Sequence, residues 1–209
     1  MIAALYVQTG GCYFGLPSVE PWDAARDART YAGPWAVVAH PPCERWGRYW
    51  GGGPSAKVKR TKGDDGGCFA AALASVLRWG GVLEHPAASS AWAAHGLRAP
   101  MAEGWHAADL VGGWTCLVEQ GAYGHKARKA TWLYAHGVAL PSLRWGRAPG
   151  DFRRLDPGFH TAAERAAASD IRRTAQRLTK SECIATPTEF RDLLISIAES
   201  ASRIETRSA

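Results

Sequence analysis

Trp35-Ala36-Val37-Val38-Ala39-His40-Pro41-Pro42-Cys43 (35–43) decides how this chain folds. A compact apolar run stands between Gly33-Pro34 and Pro41-Pro42, which reads as a buried strand that stops in a loop. Open α/β sheets carry their chemistry just beyond the carboxyl ends of such strands. Two prolines stiffen the loop and fix the direction of the next side chain, so the Cys43 thiol is presented rather than buried. Three readings of Cys43 stand at this point: a presented nucleophile, an incidental residue in a structural turn, or a metal ligand with His40 and His85.

Outward from this strand the chain alternates. Residues 2–7 read as a short buried strand running into Thr9-Gly10-Gly11, and residues 23–31 as a short helix with Asp23 as N-cap. Residues 48–67 are rich in Gly, Lys and Arg and read as a flexible basic loop. Cys68 to Trp79 is an apolar helix stopped by Gly80-Gly81, and Val82-Leu83 a short strand ending at Glu84-His85-Pro86. Strands follow over 114–119 and 130–134, with 96–113 and 144–160 irregular. Helices follow over 162–176 and 190–202. The alternation predicts an α/β fold with a mostly parallel, Rossmann-like sheet and flanking helices. It divides into a core over 1–143, a small linking or recognition region over 144–176, and a C-terminal segment over 177–209 that packs back on the core.

Composition bounds the function. A chain of 209 residues holds one α/β core and is too short for two full domains. The net charge of +6 favours a polyanionic partner over an acidic small substrate, and ten Trp offer stacking surfaces as well as core volume. The five Cys are odd in number and lack a C-x-x-C pair, which fits reduced thiols in a cytoplasm. Neither a signal peptide nor an apolar run of membrane-spanning length is visible, so a membrane partner is not expected.

Two further stretches carry chemistry. Glu84 puts a carboxylate where a short strand ends, able to serve as a proton donor or to sit as a surface residue before a turn. Tyr123 to Tyr134 packs His125, Lys126, Arg128 and Lys129 beside aromatic residues, a combination that suits phosphate contact with base stacking and also an ordinary solvated hairpin. Asp27 and the Asp64-Asp65 pair read as caps or surface ion pairs.

The order of these motifs resembles the DNA cytosine carbon-5 methyltransferase family. Pro41-Pro42-Cys43 is similar to that family's nucleophile loop, Glu84-His85-Pro86 to its base-holding Glu, and Arg128-Lys129-Ala130-Thr131-Trp132 to a stretch found in phage-type members. Arg177-Leu178-Thr179-Lys180-Ser181-Glu182-Cys183 resembles a late segment of the family, and Thr186-Pro187-Thr188-Glu189-Phe190 the start of its closing helix. The N-terminus matches less closely. Gly10, Gly11, Gly15 and Leu16 fit the cofactor loop, but Ala4 stands where the family has Asp and Gln8 where it has Gly. Glu20 resembles the ribose-holding acid, although it comes too soon to leave room for the usual first helix.

The resemblance implies a class I methyltransferase-like fold and an enzyme that acts at carbon 5 of a pyrimidine in DNA. The base is flipped from a duplex or taken from a single strand. Cys43 would add to carbon 6, Glu84 would serve ring nitrogen 3, and Arg128 would hold the reacting base or a phosphate. S-adenosylmethionine would lie against Gly10, Gly11, Glu20 and Pro41, with no metal. Substrate or DNA contacts would come from His40, Arg45, His85, His125, Lys129, Lys57, Lys59 and Arg60. The eroded cofactor loop keeps two alternatives open: another one-carbon donor for the same carbon-5 chemistry, or a DNA-binding homologue without catalysis.

Overall fold

The computed structural model describes residues 1–48, 50–52, 57–155, 162–167 and 176–201. Its centre is β3 (Ala36–Ala39), whose alternating side chains serve two cores at once. Val37 and Ala39 face one side with Ala3, Leu5 and Leu83, whereas Val38 faces the other with Ile2, Ala4 and Val82. A strand buried on both faces must be apolar throughout, which is why 35–39 reads so cleanly.

The sheet has seven strands in the order β2-β1-β3-β4-β7-β6-β5. β1 (Ile2–Leu5) lies between β2 (Val19–Trp22) and β3, and all of these pair in parallel, as does β4 (Gly81–Pro86) with β3. β7 (Ala130–His136) then runs antiparallel to β4, β6 (Trp114–Glu119) antiparallel to β7, and β5 (His106–Ala107) antiparallel to β6. The α/β class is as expected, but the sheet is mixed rather than mostly parallel, because β7 enters it beside β4 in the reverse sense.

α1 (Cys68–Trp79) covers one face with Phe69, Ala72, Leu73 and Val76, spaced along one helical stripe. Asp65 starts this helix: its carboxylate accepts from the N–H groups of Gly67 and Phe69 and from Trp46 Nε1 at 2.8 Å. Gly80 ends it. Gly81 then enters β4 at φ +135°, where a Cβ would overlap the Val37 carbonyl oxygen, so no other residue fits. The opposite face is covered by α5 (Thr188–Glu199) through Phe190, Leu194, Ile197 and Ala198. Burying a side chain such as Leu194 contributes about 2 kcal/mol. The short helices are α2 (Ala91–Ala94), α3 (Ala162–Ala167) and α4 (Lys180–Ile184). α4 opens with a reciprocal cap: Glu182 N–H donates to Thr179 Oγ1 and Thr179 N–H to Glu182 Oε2.

Three expectations change. The helix over 23–31 is a single 3-10 turn at Ala28–Thr30, where Asp27 accepts from Arg29 N. Asp23 does not cap it; its carboxylate accepts from Thr9 Oγ1 at 2.7 Å and from Ala25 N. β2 was not foreseen because Pro21 breaks its pattern, and it survives because a proline is tolerated on an edge strand. Of the helix expected over 162–176, the part over 168–175 lies outside the described residues, as does residue 202 of the one expected over 190–202.

Among the described residues no helix is long and apolar enough to cross a membrane.

Candidate active site

After β1 the chain forms β2 on one side and later returns to form β3 on the other. The strand order therefore reverses between β1 and β3. In open α/β sheets the crevice beyond the carboxyl ends at such a reversal is where ligands bind. A cavity of about 600 Å³ opens there, between the loop after β1 (Tyr6 to Gly11) and the His40-to-Glu44 loop after β3. Glu84 from β4, Lys129 just before β7, and Cys183 to Thr186 at the end of α4 complete the wall.

His40 is the hub. Its Nδ1 lies 2.9 Å from Glu84 Oε2, and its Nε2 lies 2.8 Å from the Tyr13 hydroxyl. An ionised carboxylate only accepts, so Nδ1 donates to Glu84, and Nε2 faces the Tyr13 hydroxyl. The second Glu84 oxygen accepts from Gln120 Nε2 at 3.2 Å, and Gln120 also donates to Thr131 Oγ1. Burial pushes the Glu84 carboxyl up, but the His40 hydrogen bond and the charges of His40, Lys129 and His85 outweigh it and hold Glu84 below the usual carboxylate range. Burial drives the Tyr13 phenol well above its ordinary value.

Cys43 is exposed on the cavity wall and is a free thiol. Burial and then the Glu84 charge raise its pKa, against a smaller lowering by Lys129. The resting group is thus a thiol, where the resemblance implied a thiolate eased by neighbouring cations. Lys129 is the cation that does reach the cavity. Burial lowers its pKa, the charge of Glu84 supports it, and its Nζ donates to Ala185 O at 3.0 Å. Lys129 and Tyr6 both hold positive φ, 44° and 60°, without being glycine. Backbone strain of this kind concentrates at functional sites, and here both residues line the same cavity.

Other expected residues lie elsewhere. Arg128 turns away to donate to Ala148 O and Gly150 O and to stack over Phe152, so it ties down the segment 148–152. His85 is 1% exposed, packed between Phe69 and Trp92; neither ring nitrogen has a hydrogen-bond partner. It cannot touch DNA from there. His125 is a buried connector that accepts at Nδ1 from Ala127 N and donates from Nε2 to Glu182 O. Arg45 reaches the Trp50 carbonyl at 3.5 Å and does not line the cavity. Lys57, Lys59 and Arg60 are exposed on an excursion that leaves the chain at Arg45 and returns where Gly63 N–H donates to Arg45 O at 3.0 Å. Lys57, Lys59 and Arg60 therefore do not line the cavity.

The expected cofactor residues divide as well. Gly11 and Pro41 line the cavity, and Gly11 permits a close turn in which a Cβ would stand 2.8 Å from Gln8 O. Gly10 does not line it. Glu20 sits within β2 opposite Ala3 and is ion-paired with Arg26 at 2.6 Å. The carboxylate at the end of β2 is Asp23, already engaged by Thr9. These residues do not fit S-adenosylmethionine in the way the resemblance implied, because Glu20, the expected ribose anchor, is ion-paired with Arg26 and no helix follows β1. Of the residues in the metal alternative, His40 is hydrogen-bonded to Glu84 and Tyr13 and His85 is buried away from the cavity; among the described residues there is no group of three or more His, Cys, Asp or Glu that could hold an ion.

Tyr13, Gln120, Cys12 and Cys183 join the site without having been singled out. Tyr13 carried a weak signal, an aromatic inside a Gly-rich turn. Gln120 carried none, since only the pairing of β4 with β7 brings it to Glu84. The resemblance of 177–183 to a family segment has a local cause in the Thr179/Glu182 cap. No protein-family model, curated protein or solved structure matches this chain.

Proposed function

We propose that this protein is a DNA-modifying enzyme that acts at carbon 5 of a pyrimidine, cytosine foremost, through a covalent adduct of Cys43. The observation that carries this reading is the convergence of a thiol, a carboxylate and an ammonium (Cys43, Glu84 and Lys129) on one cavity at the strand-order reversal. Carbon 5 is a poor nucleophile until a thiolate adds to carbon 6 and passes the electron pair of the double bond toward it. Cys43 makes that bond, and Lys129 offers the charge that favours the thiolate. The parallel strands β2-β1-β3-β4, flanked by helices on both faces, are compatible with a class I methyltransferase-like fold.

The DNA partner rests on the net charge of +6 and on the exposed cations Lys57, Lys59 and Arg60, which come after the nucleophile loop. They supply contact to phosphates without sequence reading. The one-carbon donor is not assigned, because Glu20, the expected ribose anchor, is ion-paired with Arg26 and Gly10 does not line the cavity. Methylation remains the expected outcome, with another one-carbon group as the second reading.

The test expresses wild type and Cys43→Ala in bacteria lacking cytosine methylation, digests their DNA and weighs the nucleosides by mass spectrometry. A new pyrimidine that requires Cys43 is expected. A methyl increment identifies methylation, and another increment identifies the second reading. DNA with no new nucleoside in either strain overturns the proposal.

A further inference from the structure

We propose that His40 is the general base that takes the Cys43 proton, with Glu84 and Tyr13 as the residues that position it. This deepens the reading of Cys43 as the nucleophile and rests on it. The resemblance gave Glu84 to the substrate. Here each of its oxygens already accepts from protein, Oε2 from His40 and Oε1 from Gln120, which ties the carboxylate to the imidazole. Carboxylate, imidazole and hydroxyl stand in the order of a hydrolytic triad, with contacts of 2.9 and 2.8 Å. The hydroxyl is a phenol only 2% exposed, a poor nucleophile, whereas the exposed thiol of Cys43 lies on the same wall three positions along the same loop.

The step is a single proton transfer. The S–H bond of Cys43 breaks as an N–H bond forms at His40 Nε2, and the Tyr13 hydroxyl gives up its bond to that nitrogen. The imidazolium charge is held by Glu84, and the thiolate is left beside Lys129. Tyr13 holds the Nε2 side of the ring through its hydroxyl while Glu84 holds the Nδ1 side.

The titratable groups sharing the cavity are Tyr6, Cys12 and Tyr13 from the β1–β2 link, Glu44 from the loop of His40 itself, Glu84 from β4, Lys129 before β7, and Cys183 from α4. Burial raises Tyr6, Cys12 and Tyr13, and Glu84 is lowered, so these four stay in one protonation state around neutral pH.

Alkylation of Cys43 by iodoacetamide, followed across pH by mass spectrometry of its peptide, tests this without any substrate. His40→Asn slows Cys43 alkylation about tenfold at pH 7 and moves its profile toward higher pH, while the other four cysteines keep their rates. Tyr13→Phe leaves Nε2 uncapped and shifts the acid limb to higher pH. Glu84→Gln is the sharper test. If Glu84 acted on Cys43 only through its charge, removing it would speed alkylation; acting through His40, its loss slows alkylation severalfold. Unchanged alkylation in His40→Asn, or faster alkylation in Glu84→Gln, overturns the assignment. A modified nucleoside in cells together with His40-independent alkylation would sink this inference alone. His40-dependent alkylation with no modified nucleoside would sink the proposed function alone.

Discussion

Glu84 Oε2 and His40 Nδ1, 2.9 Å apart, join the end of β4 to the loop after β3 across the floor of the cavity. The pair is mostly shielded, with side-chain exposures of 12% and 14%. It is therefore a structural strut as well as a chemical one. The Glu84 pKa is depressed below its ordinary 4.5, so the stabilisation is fully present above about pH 4.5 and is lost as pH falls through the folded-state value. Glu84→Gln should lower stability by about 1–2 kcal/mol at pH 7. The gap from wild type should close as pH falls below 4.5 through the folded-state value, measured as Tm against pH.

His85 gives a second acid-sensitive element with a different window. Burial lowers its pKa from 6.5 to about 4, offset in part by the Glu84 charge. The neutral ring is favoured in the fold, so stability is complete above about pH 6.5 and declines as pH falls toward about 4. The full effect is about 3 kcal/mol. His85→Leu should remove this decline, and it should not destabilise at pH 7, because both ring nitrogens are buried without partners. Paired pH titrations of Tm check it.

Arg128 separates geometry from resemblance. Its guanidinium holds Ala148 O at 2.6 Å and Gly150 O at 3.2 Å. Arg128→Ala should cost about 1–3 kcal/mol and speed amide exchange over 148–152. Cys43 alkylation should be unaffected. Loss of Cys43 reactivity without loosening of that segment would restore Arg128 to the cavity.

Asp65 binds the start of α1 to Trp46, three residues beyond the nucleophile. Asp65→Ala should cost about 1–2 kcal/mol as a lost cap. It should also free the Trp46 indole, which is 7% exposed, readable as a red shift in tryptophan emission.

The basic excursion should govern affinity rather than chemistry. Replacing Lys57, Lys59, Arg60 and Lys62 with Ala should weaken DNA binding uniformly across sequences. The slope of log K against log salt should fall by about 0.9 for each phosphate contact removed. An unchanged slope would take these cations off the DNA.

Much of the fold was legible in the residues. Ala36 to Ala39 had to be a doubly buried strand because nothing in it tolerates water, and the prolines after it had to turn the chain and present Cys43. Cys68 to Trp79 declared its helix by an apolar stripe and a Gly stop. Local patterns of this kind are written in neighbouring side chains. The site was legible only where it sat at a strand end: His40, Cys43 and Glu84 were found, whereas Tyr13 and Gln120 were not.

What only the tertiary structure decided was the partner of each charged group. A sequence motif gives Arg128 and Lys129 equal standing, yet a positive φ at Lys129 sends one side chain to Ala185 on the cavity wall and the other to Ala148. Glu20 and Asp23 are neighbours in sequence, but the register of β2 against β1 sets one within the strand and the other at its end. Most of all, β7 enters the sheet antiparallel to β4, a sense that its own apolar pattern does not specify. Through β7 and β6 the chain brings Gln120 to Glu84, where its amide also donates to Thr131. Apolar patterning fixes which faces are buried; hydrogen-bond partners across strands depend on register and direction, which no single segment encodes.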